Sequence, residues 1–145
     1  MEKRNLPPEW IADFNLGVPF IDEQHRYFFK VLKELEGLIK TNSCRENISG
    51  IFFSMVHYAD HFLIQEEIYF RGLNYPGMKE HHLKHNIFVA GIINLKDDFA
   101  NGKPDVCDTL LTFMNDYFHE HILGYDQKIV EYLKSLNLKP GEKEN

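Results

Sequence analysis

Eight histidines are spread along this chain so that each candidate helix carries at least one on its apolar side, and five of them lie between His57 and His85. That stretch reads HYADHFLIQEEIYFRGLNYPGMKEHHLKH. His81 and His85 stand four apart, which on an α-helix leaves them about 40° from superposition, so both imidazoles aim the same way. Upstream, His61 is followed by the carboxylates Glu66 and Glu67, and the turn Tyr75-Pro76-Gly77 folds the second segment back on the first. Two facing helices then offer nitrogen and oxygen ligands to a shared interior.

The rest of the chain narrows what such a cluster can serve. At 145 residues it is expected to be one domain, 1–145, rich in aromatic side chains, with twelve phenylalanines. A formal charge of −6 and the lack of a basic stripe argue against a nucleic-acid partner. No uncharged apolar run is long enough to span a membrane, and MEKRNLPPEW has no signal-peptide core, so a membrane role is not expected. Cys44 and Cys107 are too few and too distant in sequence to suggest a disulfide framework or a zinc knuckle. Both are expected to be reduced, structurally minor thiols in a cytoplasmic protein.

Periodicity predicts an all-α, up-down-up-down four-helix bundle with an N-terminal arm packed across it. Residues 1–18 are irregular, with Pro7 and Pro8 blocking a helix start and Trp10, Ile11 and Phe14 able to lie on an apolar surface. Helices are expected at about 19–41, 46–71, 77–101 and 105–136. Gly72 is read as a left-handed cap, Asn101-Gly102-Lys103-Pro104 as a stop, Asp105 as an N-cap and GEKEN as a frayed tail. The first helix carries His25, the second His57 and His61, the third His81, His82 and His85, and the fourth His119 and His121, with Asp126 five residues on. One buried histidine is ordinary core packing. One on every rod is not, because each buried ring nitrogen needs a partner. A metal supplies those partners. Imidazole and carboxylate without cysteine suit iron, manganese or zinc, and the ligands outnumber what one ion can use, so two ions are implied.

The Trp10 arm, the segment LGVPFIDEQH ending in His25, the HF and EE elements of the second helix, YPGMKEHHLKH, and HILGYD with His121 and Asp126 occur in this order. In these pieces the sequence resembles the hemerythrins, in particular the single-domain bacterial kind, over nearly its whole length. The resemblance implies a four-helix bundle holding two iron ions joined by an oxide or hydroxide, with dioxygen as the bound partner. It implies His25 and His61 on one iron, His81, His85 and His121 on the other, and Glu66 and Asp126 bridging. Two octahedral irons offer about twelve positions. These ligands would fill all but one, on the iron held by His25 and His61, and that vacancy would take the oxygen inside a dry, Phe-rich pocket.

One departure stands out. The family places its second-helix glutamate four residues after the histidine, whereas here His61 plus four is Gln65 and Glu66 comes at plus five. On a regular α-helix Glu66 would lie about 140° from His61. A π-bulge between them would absorb the extra residue. Alternatively Gln65 takes the bridging place, or His57 joins or replaces His61. The His121–Asp126 spacing of five is the family's own, with Gly124 easing a local distortion. His82 and His119 are expected at the surface, Glu67 in a surface or supporting hydrogen bond, and Gln24 either at the surface or against the site.

The expected function is a binding protein and not an enzyme: reversible dioxygen binding for storage, for sensing, or for delivery to an oxygen-consuming enzyme. The alternative is a di-iron enzyme that reduces peroxide or nitric oxide or oxidises iron. A third reading has metals that only hold the bundle together.

Overall fold

The computed structural model describes residues 7–136; the GEKEN tail lies outside them. Among the described residues there is no strand. Helix α1 spans Pro19–Lys40, with proline at its first turn, where no intrahelical N–H is needed. The second rod is α2 (Cys44–His57), a π-helical segment (Tyr58–Leu63) and α3 (Ile64–Gly72). The third is α4 (Met78–Ala100). The fourth joins α5 (Val106–Tyr117), a second π segment (Phe118–Tyr125) and α6 (Gln127–Ser135). Short turns join the rods, and α1 packs on α2 and α5 while α4 packs on α2, α3 and α5, which gives the four-rod bundle.

The turns use the left-handed conformation at Asn42, Asn74 and Gly102. Gly72 is not the left-handed cap expected from sequence: the chain stays helical through it and reverses two residues later at Asn74, a residue that tolerates that region. Asp105 precedes α5 without a capping hydrogen bond from its side chain.

The arm enters through Gly17, whose φ of 85° suits glycine. The amides of Leu16 and Gly17 donate to the buried Asp22 carboxylate at 2.6 and 3.0 Å, which fixes the arm to the start of α1. Trp10 then lies edge-on to Phe14 and Phe29, at 5.2 and 5.8 Å between ring centroids. Ile11 does not join them; it is 41% exposed.

Apolar side chains form two separate clusters. The larger gathers Phe28, Leu32, Ile48, Met55, Phe88 and Leu110 with their neighbours. The smaller unites Leu16, Val18, Ile21, Phe70, Leu73, Tyr75, Ile129 and Leu133 from the arm, the start of α1, α3 and the turn after it, and the last helix. The Tyr132 hydroxyl donates to the Leu73 carbonyl at 2.6 Å across that end. Between the two clusters runs a layer of buried polar side chains: His25, Glu66, His81, His85, His121 and Asp126.

The cysteines depart from expectation. Cys44 and Cys107 form a disulfide, with Cα atoms 6.3 Å apart. Their separation of 63 residues looked prohibitive in sequence, but it is one rod out and one rod back, so the first residues of α2 and α5 meet at the same end of the bundle. The expectation of free thiols is thereby overturned, and with it the cysteine argument for a reducing compartment.

Candidate metal centre

Each rod delivers its polar groups to one level. His25 comes from α1, Glu66 from α3, His81 and His85 from α4, and His121 and Asp126 from the fourth rod. In α4 the spacing of four brings the His81 and His85 rings to 4.2 Å. In the fourth rod the Asp126 amide donates to the His121 carbonyl at 2.9 Å, a five-residue step belonging to the π segment, so both side chains share a face. Two ligand groups result, each with donor atoms within 4.8 Å of one another: Glu66, His81, His85 and His121, and His25, Glu66 and Asp126. Glu66 belongs to both.

The contacts inside the cluster have the character of ligands awaiting an ion. His25 Nε2 lies 2.9 Å from Asp126 Oδ2, yet the pair lacks the alignment of a hydrogen bond. His85 Nε2 and both Asp126 oxygens are buried in the same condition. His85 Nε2 is 3.4 Å and His121 Nε2 3.3 Å from the nearest carboxylate oxygen, while His81 Nε2 is against Glu66 Oε1. Lone pairs crowded at near-contact distance in a dry interior are costly unless a cation takes them up. The residues therefore fit cations at two overlapping ligand groups that share Glu66.

Six of the seven residues expected at the site meet here, and His61 does not. A π segment does lie in the second rod, but at Tyr58–Leu63, so that it contains His61 instead of following it. A π turn advances about 82° per residue in place of 100°, which leaves His61 about 100° from Glu66 and brings Tyr58 into line with it. His61 is accordingly exposed, its ring 4.3 Å from that of His57, which in turn is against Tyr27. Neither alternative from the sequence takes its place: Gln65 is exposed and His57 is half-buried outside the cluster. The inward side chain is Tyr58, 1% exposed.

The model of the hemerythrin HHE cation binding domain matches residues 16–133, from the start of the arm's contact with α1 to the last core leucine. The chain belongs to the hemerythrin family. Among curated hemerythrins it is similar to the bacteriohemerythrin of Stenotrophomonas maltophilia, 28% identical over 127 residues covering 87% of this chain and 81% of that protein. The bacteriohemerythrin of Clostridium acetobutylicum is 27% identical over 128 residues, 84% of this chain and 98% of the relative. That of Methylococcus capsulatus is 24% identical, covering 80% and 88%.

Around the hemerythrin cluster a second ring of groups holds the ligands in place. The Glu67 carboxylate accepts from His85 Nδ1 at 3.1 Å and also engages His82 Nδ1, with Arg71 at 3.9 Å. That bond fixes the tautomer of His85 with Nε2 turned inward. His82 is 48% exposed, whereas His119 is half-buried against Phe118 and not at the surface. Gln24 is fully buried, both ends of its amide unpartnered. Burial drives the His121 pKa down to about 4, which keeps the imidazole neutral at neutral pH. Burial pushes the Glu66 carboxyl up, but the His81 and His85 imidazoles beside it outweigh burial and hold the group well below the usual carboxylate range.

Below the cluster the pocket expected to be purely apolar holds two phenols. Phe28, Tyr58, Phe88 and Tyr117, one from each rod, form an aromatic layer with centroid distances of 5.2 Å (Phe28–Tyr58), 5.3 Å (Phe28–Tyr117) and 4.2 Å (Phe88–Tyr117). Phe28 is one turn from His25, Phe88 one turn from His85, and Tyr117 one turn from His121, on whose ring it stacks at 4.7 Å. Burial, followed by the charges of Glu66 and Asp126, raises the Tyr58 pKa well above its usual value. Tyr117 is raised likewise, by burial first. Both phenols thus stay protonated. Tyr117 was legible in sequence, four residues before His121. Tyr58 was not, because its alignment with Glu66 exists only once the π segment is counted. A groove of about 350 Å³ between α4 and α5, floored by Phe88, Phe113, Tyr117 and His121, opens this layer to the surface. There Gly91 leaves room for the Phe113 ring, which a Cβ would meet at 2.3 Å.

Proposed function

We propose that this chain is a non-heme di-iron protein that binds dioxygen reversibly. His81, His85 and His121 would hold one iron and His25 the other, with Glu66 and Asp126 as the carboxylates between them and an oxide or hydroxide completing the pair. The observation that carries this reading is the pair of overlapping ligand groups with Glu66 in common. When bound, a ferrous pair supplies the electrons for reversible capture of dioxygen. The chain's own part is to orient the imidazoles, Glu67 through His85 above all, and to exclude water with the aromatic layer. With His61 outside, the protein and the bridge leave about two positions open on the His25 side of roughly twelve. Storage, sensing, or delivery to an oxygen-consuming enzyme are the roles this binding would serve.

The same geometry favours a second reading, an enzyme that reduces peroxide or nitric oxide or oxidises iron. An ion with fewer nitrogens and two phenols nearby is better furnished for turnover than a closed apolar pocket. Iron content per chain and anaerobic oxygen titration of the ferrous protein separate the two. A reversible optical change on admitting and removing oxygen supports the first, and consumption without a stable adduct supports the second. Glu66→Ala should abolish the dinuclear centre and Gln65→Ala should leave it intact; the reverse result overturns the ligand set.

We also propose the cytoplasm as the location. The Cys44–Cys107 disulfide weighs against that location, since the cytoplasm keeps thiols reduced; alkylation of thiols in intact cells tests the assignment, and a pair found oxidised there overturns it.

A further inference from the structure

We propose that Tyr58 and Tyr117 form a hydrogen-bond donor pair for a small anionic ligand bound on the His25 side of the metal pair. The inference rests on the di-iron reading above. Three observations carry it. First, the second rod gives no nitrogen ligand to the cluster: His61 is outside, and the inward side chain at that level is Tyr58. Second, in an aromatic layer drawn from all four rods the phenol hydroxyls are the polar atoms. The Tyr58 and Tyr117 hydroxyls interact with each other, and the Tyr117 oxygen is buried without a well-formed hydrogen bond. A buried hydroxyl without a well-formed hydrogen bond is destabilising, so a ligand able to accept from it is favoured. Third, neither hydroxyl is hydrogen-bonded to a carboxylate. Glu66 and Asp126 act on them by charge through space, while the direct contact is between the two phenols. That is the placement of a donor to a bound ligand and not of a metal ligand.

The ligand class follows from the donors. A compact anion with a lone pair facing away from the metal, of the size of azide or hydroperoxide, accepts from both hydroxyls and fits beneath the cluster. A neutral diatomic gas accepts weakly from either.

The probe is azide, titrated into the oxidised, iron-loaded protein and followed by its charge-transfer absorption, with iron per chain and a melting curve for each variant. Tyr58→Phe keeps the ring and its packing. It is expected to retain two irons and the wild-type melting temperature while weakening azide about tenfold or more, with Tyr117→Phe weakening it less. His61→Ala is expected to change neither iron content nor azide affinity. Azide affinity unchanged in Tyr58→Phe at two irons per chain overturns the proposal alone. Loss of iron from Tyr58→Phe would make the phenol a ligand, and loss from His61→Ala would put the imidazole in its place; either overturns it. A wild-type chain saturating at one iron overturns the di-iron reading and the proposal with it.

Discussion

The hydrogen bond from the Asp126 amide to the His121 carbonyl, 2.9 Å long and spanning five residues, sets two ligands on one face of a rod that would otherwise turn them apart. The second rod contains the same device with a different result. There the widened turn encloses His61 and aligns Tyr58 with Glu66.

Removing the extra residue is therefore expected to change the site. Deletion of the exposed Ile64 places His61 four residues before Glu66 and lets the rod run as a plain α-helix, with the two side chains about 40° apart. We expect the second iron to bind more tightly, with little change in melting temperature. Iron retention against a chelator measures the first, and a deletion variant that holds iron no better than wild type contradicts the account of the register.

Glu67 holds His85 through Nδ1. Glu67→Gln keeps the size of the side chain but weakens that bond, and the expected result is a 10- to 100-fold loss of iron affinity with the fold intact, as is typical when the group behind a ligating histidine is removed. Chelator competition and circular dichroism together decide it; unchanged affinity would make the contact a surface ion pair.

The metal-free protein should be acid-sensitive in a definite window. His121 has its pKa depressed from 6.5 to about 4 by burial, so the unfolded chain takes up the proton first. Its contribution is fully present above pH 6.5 and is lost as the pH falls toward 4, by roughly 3 kcal/mol if it acted alone. His85 opposes this. Burial lowers its pKa, but Glu66 outweighs burial and raises it, so its contribution is present below 6.5 and fades as the pH rises beyond that. Urea midpoints of the metal-free wild type should fall from pH 6.5 to 4, and His121→Gln should flatten the slope. A slope steepened by that substitution would contradict the assignment.

The cystine closes a loop of 63 residues, for which chain entropy alone gives about 4 kcal/mol. Reduction, or Cys44→Ser with Cys107→Ser, is expected to lower unfolding free energy by up to that amount and leave iron content unchanged, since the bond lies at the end of the bundle away from the cluster. Urea unfolding with and without reductant checks it; loss of iron on reduction would show that the two ends are coupled.

Much of this was legible in the sequence because it depends on local period. The rods follow from apolar spacing, and His81 with His85 from a step of four. His25 is found inward with Ile21, Phe28, Phe29, Leu32 and Leu35, the stripe that the first helix displays as text. What the sequence left undecided depends on where a helix departs from its period. The five-residue step from His61 to Glu66 announces an irregular turn but not which residue that turn displaces, and a shift of a few positions exchanges an imidazole for a phenol. The cystine was missed for another reason. Separation along a chain says little about distance when rods run antiparallel, and only the bundle's topology brings residues 44 and 107 to one end.

The polar layer divides the interior, and the two halves are not equally anchored. The larger cluster has a covalent clasp at its far end, whereas the smaller one joins the arm, the turn after α3 and the last helix to the ends of α1 and α3 with no such bond. Cations held by Glu66, His81 and Asp126 would act as a rivet among those pieces. Stripped of them, the chain should open from that end first, its amides around Leu16, Leu73 and Leu133 exchanging with solvent long before those around Ile48 and Leu110.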